Sequence, residues 1–466
     1  LAAQRAASYS GHWLSGRSTL AELQWLASRE LMPLAGGPLT WAVGANLRRE
    51  GLRFQPSLFA QGLLSDAGAG TVATSFDAGN LRLGDAVPMQ PSSASRYVWG
   101  LLSEWQAPVA PTLTLGAAVR TDHDEYAGQS WTGKTSARWQ AAPNLMWRAS
   151  LGTGFRTPTL NQLRSPGRSD GVTQSHDCTA ALQALAASLG VTPCTGATSY
   201  PLVVGGNGDL QPEKSVQANL GLRLEPSAGY VLGADLWAVH IHDRIGAVDE
   251  AVAFENPLAV PSAWTTVDTG SGPRLALQGR PTNLGTLMSS GLDLLASARR
   301  PTMLGVIDTQ LRATVMLRED SQVYPGGPWF SAIDDGRYGA PTLKWRANWR
   351  TSLINAGWTH SLTARYQSGY DDAPMTAYPV DANGQVSGPA QQIRLKANDQ
   401  VLWDWQTSWQ LSGTLQVTAG VINLFDAKPP LSLNQIGPGK GQMLGYDERY
   451  FDARGRMLTV EARLTF

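Results

Sequence analysis

Residues 454–466 read Arg-Gly-Arg-Met-Leu-Thr-Val-Glu-Ala-Arg-Leu-Thr-Phe. Leu458, Val460, Ala462, Leu464 and Phe466 share one side, and Thr459, Glu461, Arg463 and Thr465 the other. A two-residue period is that of an extended strand with one apolar and one polar face. Leu343, Trp345, Ala347 and Trp349 alternate in the same way with Lys344, Arg346, Asn348 and Arg350. So do Val216, Ala218, Leu220, Leu222 and Leu224 with Ser215, Gln217, Asn219 and Arg223. The habit returns near 18–30, 39–53, 96–107, 111–121, 131–141, 145–155, 285–299, 305–319, 358–368, 400–411 and 414–425, and with a less clear face at 229–242. With a ragged piece before residue 15, the pattern predicts about 16 strands, each near the roughly 9–11 residues that a tilted strand needs to cross a bilayer.

Composition narrows the class. The 466 residues carry 37 Lys+Arg against 37 Asp+Glu, so no net charge draws the chain to nucleic acid or to an anionic surface. Charged residues make up 16%, below the roughly 25% of soluble domains. No apolar run approaches the length of a spanning helix. The first ten residues lack the basic start and apolar run of a signal peptide, and residue 1 is Leu, so a processed or truncated chain is expected.

The polar strand faces are too charged to pack dry, and the links between strands are sorted by length. Short ones at 33–38, 107–111, 141–144, 225–229, 300–304, 355–357 and 412–413 alternate with long ones near 54–95, 156–213, 243–284, 320–340, 369–399 and 426–453, with an intermediate link near 122–130. An expected short link at 15–18 is the exception. Short turns on one rim and long loops on the other are the mark of an outer-membrane barrel, whereas a soluble sandwich has no reason to sort its loops. Trp41, Trp105, Trp139, Trp147, Trp358 and Trp409 lie beside the short turns, where a girdle of amphipathic rings meets lipid headgroups.

Four stretches add a family resemblance. Gly154-Phe155-Arg156-Thr157-Pro158-Thr159-Leu160 ends a strand and opens a long loop, and Gly206-Asn207-Gly208-Asp209-Leu210-Gln211-Pro212-Glu213 closes it. Val421-Ile422-Asn423-Leu424-Phe425-Asp426 precedes Gly445-Tyr446-Asp447, and Asp452-Ala453-Arg454-Gly455-Arg456 leads into the last strand. In this order they resemble the barrel motifs of TonB-dependent outer-membrane receptors, with Gly208 where Pro is usual. The resemblance implies an all-β, transmembrane antiparallel barrel of about 22 strands, of which residues 1–466 supply about 16. The family's plug, TonB box and first strands are then expected to be missing from this partial barrel domain. It also implies a Gram-negative outer-membrane location, outer-membrane lipid as surroundings, a monomer, and a small-molecule ligand. The ligand is a siderophore–iron complex, with haem, cobalamin or an oligosaccharide as alternatives, and uptake is energised through the TonB complex acting on the missing plug.

No enzyme constellation, cofactor motif or metal site is legible: Gly437-Pro438-Gly439-Lys440-Gly441 lacks the spacing of a phosphate loop. In the 156–213 loop, Thr179 to Gly190 reads as a short helix, with Asp177 as its cap and Gly190 as its stop. Cys178 and Cys194 flank it, and an extracellular, oxidising location makes a disulfide the expected state, worth roughly 3 kcal/mol to a loop of this length. His176 stands in the interval where haem-binding members carry an iron-ligating histidine. His240 and His242 share one side of a strand end, where they read as rim residues or as a metal pair. The inner-wall charges Arg148, Arg223, Arg346, Arg350, Glu461 and Arg463 read as hydrated lining or as a guide for an anionic ligand. Ligand contacts are expected from the loops, at Tyr126, His176, Tyr200, Tyr370, Tyr378 and Tyr446. Two other readings stay open: an ungated porin or adhesin-like barrel, and a soluble secreted β scaffold.

Overall fold

Alternation along the sequence becomes one antiparallel sheet. The computed structural model describes residues 12–58, 60–61, 89–268, 272–324, 326–337, 340–433 and 445–465. Residues 1–11, the tip at 437–441 and Phe466 lie outside them, and so does most of the ragged piece expected before residue 15. Among the described residues the sheet has 16 strands, paired in chain order from Leu14–Leu34 to Met457–Leu464 except for the short Trp329–Ser331, which pairs with the loop end of Gly305–Gln322. Among the described residues, Leu14–Leu34 and Met457–Leu464 are each paired on one side only.

The expected link at 15–18 is not a break. Ser15 and Ser18 lie opposite Gln55 and Leu52 within an unbroken strand, because a complete partner ladder overrides the turn preference of Ser and Gly. With that exception gone, the short connections gather at one rim, apart from the three-residue link 125–127 at the other. At Ala356-Gly357 both residues have positive φ, 45° and 85°, the backbone of a tight primed hairpin turn.

Register fixes the faces. Leu220, Leu236 and Leu292 lie opposite one another across three strands, as do Gly221, Asp235 and Asp293 one step away. The first row is the apolar face, the second the polar one. Arg148 bridges Asp235 (Nε–Oδ1 2.8 Å) directly over Gly221, where any side chain would collide with the pair. Arg365 likewise forks Asp404, at 2.9 and 3.0 Å. A wall one strand thick buries little: Leu220 and Leu236 remain 48% and 47% exposed. The six predicted tryptophans pair across neighbouring strands as Trp41–Trp105, Trp139–Trp147 and Trp358–Trp409, the last stacked at 4.8 Å. Buried apolar side chains collect instead in the long loops.

Candidate functional site

The loops that leave the open rim fold into two packed units. The larger joins 156–213 to 243–285 through a core of Leu182, Leu185, Tyr200, Val252, Phe254 and Trp264. A four-stranded sheet, Arg168–Val172, Pro201–Val204, Trp264–Asp268 and Pro273–Gln278, supports it. The helix Ala180–Ser188 is capped by Thr179, whose side chain accepts from the Leu182 N–H, and not by the expected Asp177. Thr179 adjoins the first helical residue and its hydroxyl reaches the free N–H groups of the first turn. Gly190 ends the helix at φ 69°. Cys178 and Cys194 are joined, with Cα atoms 5.7 Å apart.

The receptor-like motifs acquire a physical role at the base of this unit. Arg156 forks Glu213 with two 2.7 Å bonds, and Glu213 also accepts from the Ile245 N–H at 2.7 Å. Thr159 and Gln162 form a reciprocal cap on the helix Leu160–Arg164. Arg96, 5% exposed, reaches Glu50, Asp124 and the Pro158 carbonyl. The two motifs thereby clamp the loop where it enters and leaves the wall.

The second unit surrounds Tyr370, Phe451, Leu343 and Ala397. The Tyr370 hydroxyl lies 3.0 Å from Asp447 Oδ2 and 3.3 Å from Ser432 Oγ, and burial pushes its phenol up from the ordinary range. Asp447, fully buried, is held by Arg449 (Nη2–Oδ2 2.6 Å). Burial by itself would raise its carboxyl, but the hydrogen bonds and charge of Arg449 outweigh it and leave Asp447 below its usual 3.8. A depressed carboxyl stabilises the fold above its unfolded pKa, and that contribution is lost as pH falls through the lower folded value. This unit is therefore expected to loosen below about pH 4, read as faster amide exchange at 370–372 and 446–451. Asp447→Asn should loosen it at neutral pH by about 2 kcal/mol, and unchanged exchange in that variant would refute the assignment.

The six loop residues chosen from sequence occupy different settings. Tyr200 and Tyr370 are 3% and 1% exposed, so they serve the two loop cores and present no surface to solvent. Both are buried by segments distant in the chain, which no local pattern reveals. His176 stacks on Phe254 at 3.5 Å, and its Nε2 lies 2.7 Å from Glu250 Oε1. Tyr126 donates to the Ser95 carbonyl at 3.0 Å and carries Arg164 over its ring. Tyr446 packs beside the second core. Tyr378 is 58% exposed. The six are not one cluster.

Sequence reading named Arg346 but not the group around it. Arg312, Arg346, Asn348, Arg365, Asp235 and Asp293 line a cavity of about 560 Å³ on the polar face of the wall. Among the described residues Arg312 and Arg346 take part in no ion pair. Strand alternation placed Arg346 and Asn348 on the polar side, and the pairing of neighbouring strands brings the others into the same cavity.

The family model described as TonB dependent receptor-like, beta-barrel matches residues 6–424, and the chain belongs to that family. It is an outer-membrane β-barrel protein whose strands carry one apolar and one charged face. The chain is 27% identical over 179 residues to the iron-regulated outer membrane virulence protein of Vibrio cholerae serotype O1, a match that spans 38% of this chain and 22% of that one. Its fold is similar to the ferric enterobactin receptor of Pseudomonas aeruginosa crystallised as a mutant with enterobactin, with TM-score 0.62, 18% identity, and 96% and 55% of the two chains covered. It is also similar to the siderophore receptor PirA of Acinetobacter baumannii, with TM-score 0.61, 13% identity, and 96% and 55% covered. The chain thus spans about half the length of these structures.

Proposed function

We propose that this chain forms wall and external loops of a receptor that imports an anionic iron chelate of the siderophore class, energised through TonB acting on a plug segment. The carrying observation is the pair Arg312 and Arg346, inward-facing in a 560 Å³ cavity and without a carboxylate partner among the described residues. Unpaired guanidinium groups in a sheltered lumen attract anionic oxygens and hold them by forked hydrogen bonds. The iron-linked names of the related proteins support the same cargo class. Haem is less well served, because the His176 nitrogen that would bind iron is engaged by Glu250. Tyr378 on the exposed loop, with Tyr126 and Tyr446 nearer the wall, supplies the proposed outer contacts.

The wall is proposed to act as part of a longer monomeric receptor. Its two edges would otherwise leave backbone groups unpaired in hydrocarbon. The test is uptake of radiolabelled iron as ferric enterobactin by cells whose only siderophore receptor is the full receptor carrying this chain. Uptake is expected to require TonB. Arg312→Gln with Arg346→Gln should raise the half-saturating concentration at least about tenfold at unchanged surface expression. TonB-independent uptake would instead support an open pore, and wild-type affinity in the double variant would remove the arginines from the ligand path.

A further inference from the structure

The lipid-facing side of the wall carries a cluster that import does not use. On the strand Tyr230–His242, the outward positions Leu232, Ala234, Leu236 and Ala238 give way to His240 and His242. On its neighbour, Val216 gives way to Lys214, directly opposite His242. On the far side, His240 lies opposite Met288, which lies opposite Asp320, with Arg318 two residues below on the same face. That placement depends on the bulge between Ser290 and Gly291, which resets the alternation of the Gly305–Gln322 strand. An apolar band about 25 Å tall takes up roughly ten residues of a tilted strand, so these groups stand at its outer boundary.

The side chains converge. The His240 and His242 rings are 3.9 Å apart, and His240 is within electrostatic reach of Arg318. Arg318 lies over the Trp329 ring at 5.7 Å and gives its Nε to Asp320 at 2.6 Å, which leaves its terminal nitrogens free to donate elsewhere. His240 Nε2 is shut off from solvent with no hydrogen-bond partner among the described residues. A desolvated ring nitrogen without a partner is costly, and calls for a ligand.

Immediately below, on the same outward face, runs an apolar groove of about 430 Å³ lined by Trp105, Val119, Leu151 and Val216. It rises from the tryptophan girdle to within one outward position of Lys214, since Val216 is the next residue down that face. Cationic and imidazole donors above a hydrocarbon-sized groove match a phosphate carried on acyl chains. Free phosphate would leave the groove unfilled.

We infer that Lys214, His240, His242 and Arg318 form an outer-leaflet lipid site that binds the phosphate of a phosphorylated glycolipid, with an acyl chain in the groove beneath. The site anchors the wall at a fixed height and lies on the opposite face from the cargo path.

The test is native mass spectrometry of the full receptor carrying this chain, delipidated in detergent micelles and titrated with diphosphoryl lipid A, its dephosphorylated form, or inorganic phosphate. Saturable binding of one diphosphoryl lipid A is expected, with little binding of the dephosphorylated lipid and no displacement by millimolar phosphate. Lys214→Gln, His240→Gln and Arg318→Gln should each weaken it, the charged pair by roughly fivefold per charge removed. Arg318→Lys should keep most of the affinity, and Arg49→Gln, elsewhere on the outward rim, should leave it unchanged. Electrophoretic heat-modifiability confirms that each variant is folded. Equal binding of the dephosphorylated lipid, displacement by inorganic phosphate, or wild-type affinity in the Lys214→Gln, Arg318→Gln double variant would each overturn the site.

Discussion

Leu236→Arg is expected to prevent most of the full receptor carrying this chain from reaching its folded form in a bilayer. Leu236 is mid-strand, 47% exposed, and opposite Leu220 and Leu292, so its side chain points into hydrocarbon near the middle of the membrane. An arginine there costs about 2–4 kcal/mol, a large share of the roughly 5–15 kcal/mol that holds a domain folded. Gln217→Arg puts the same side chain on the opposite face of the neighbouring strand, where Gln217 lies across from Val239 and faces the lumen. Water solvates it there. Refolding into vesicles, read by heat-modifiability, should separate the two variants clearly. Equal folded fractions would mean that the two faces see the same solvent, and the barrel assignment would fail.

The second large effect belongs to the loops. Trp264 is 3% exposed and meets Phe254 and Tyr200 edge to face, at 5.0 and 5.9 Å. Trp264→Ala should cost the larger loop unit about 3–5 kcal/mol and cannot be made good by a barrel that shares little of its core. Amide exchange across 173–204 and 248–268 should rise steeply while the wall strands keep their protection. If wall and loops lost protection together, the loop unit would not be a separate core.

The two readings of the chain differ in kind. Period-two alternation at 216–224, 345–350 and 457–464 is a local property, fixed by which residues point to which side, so strands, faces and even the tryptophan rows were legible without coordinates, whereas Leu343, expected on the same face, belongs to the second loop core. The link at 15–18 was misjudged because Gly and Ser favour turns only when no neighbouring strand offers a ladder. The loops were opaque for a related reason: Tyr200 and Tyr370 lie in irregular stretches without a period and are buried by segments far away in the chain.

By itself the sequence determined a strand-built wall with one apolar and one charged flank, and a rim of short turns. Tertiary structure alone decided which loop side chains are core, that Arg156 forks Glu213 at the loop base, that His176 leans on Glu250 and Phe254, and that Arg312 and Arg346 line one cavity. Alternation tells a residue its side of a strand. Height around a barrel is set by register and bulges, which are properties of pairs of strands and not of any one of them.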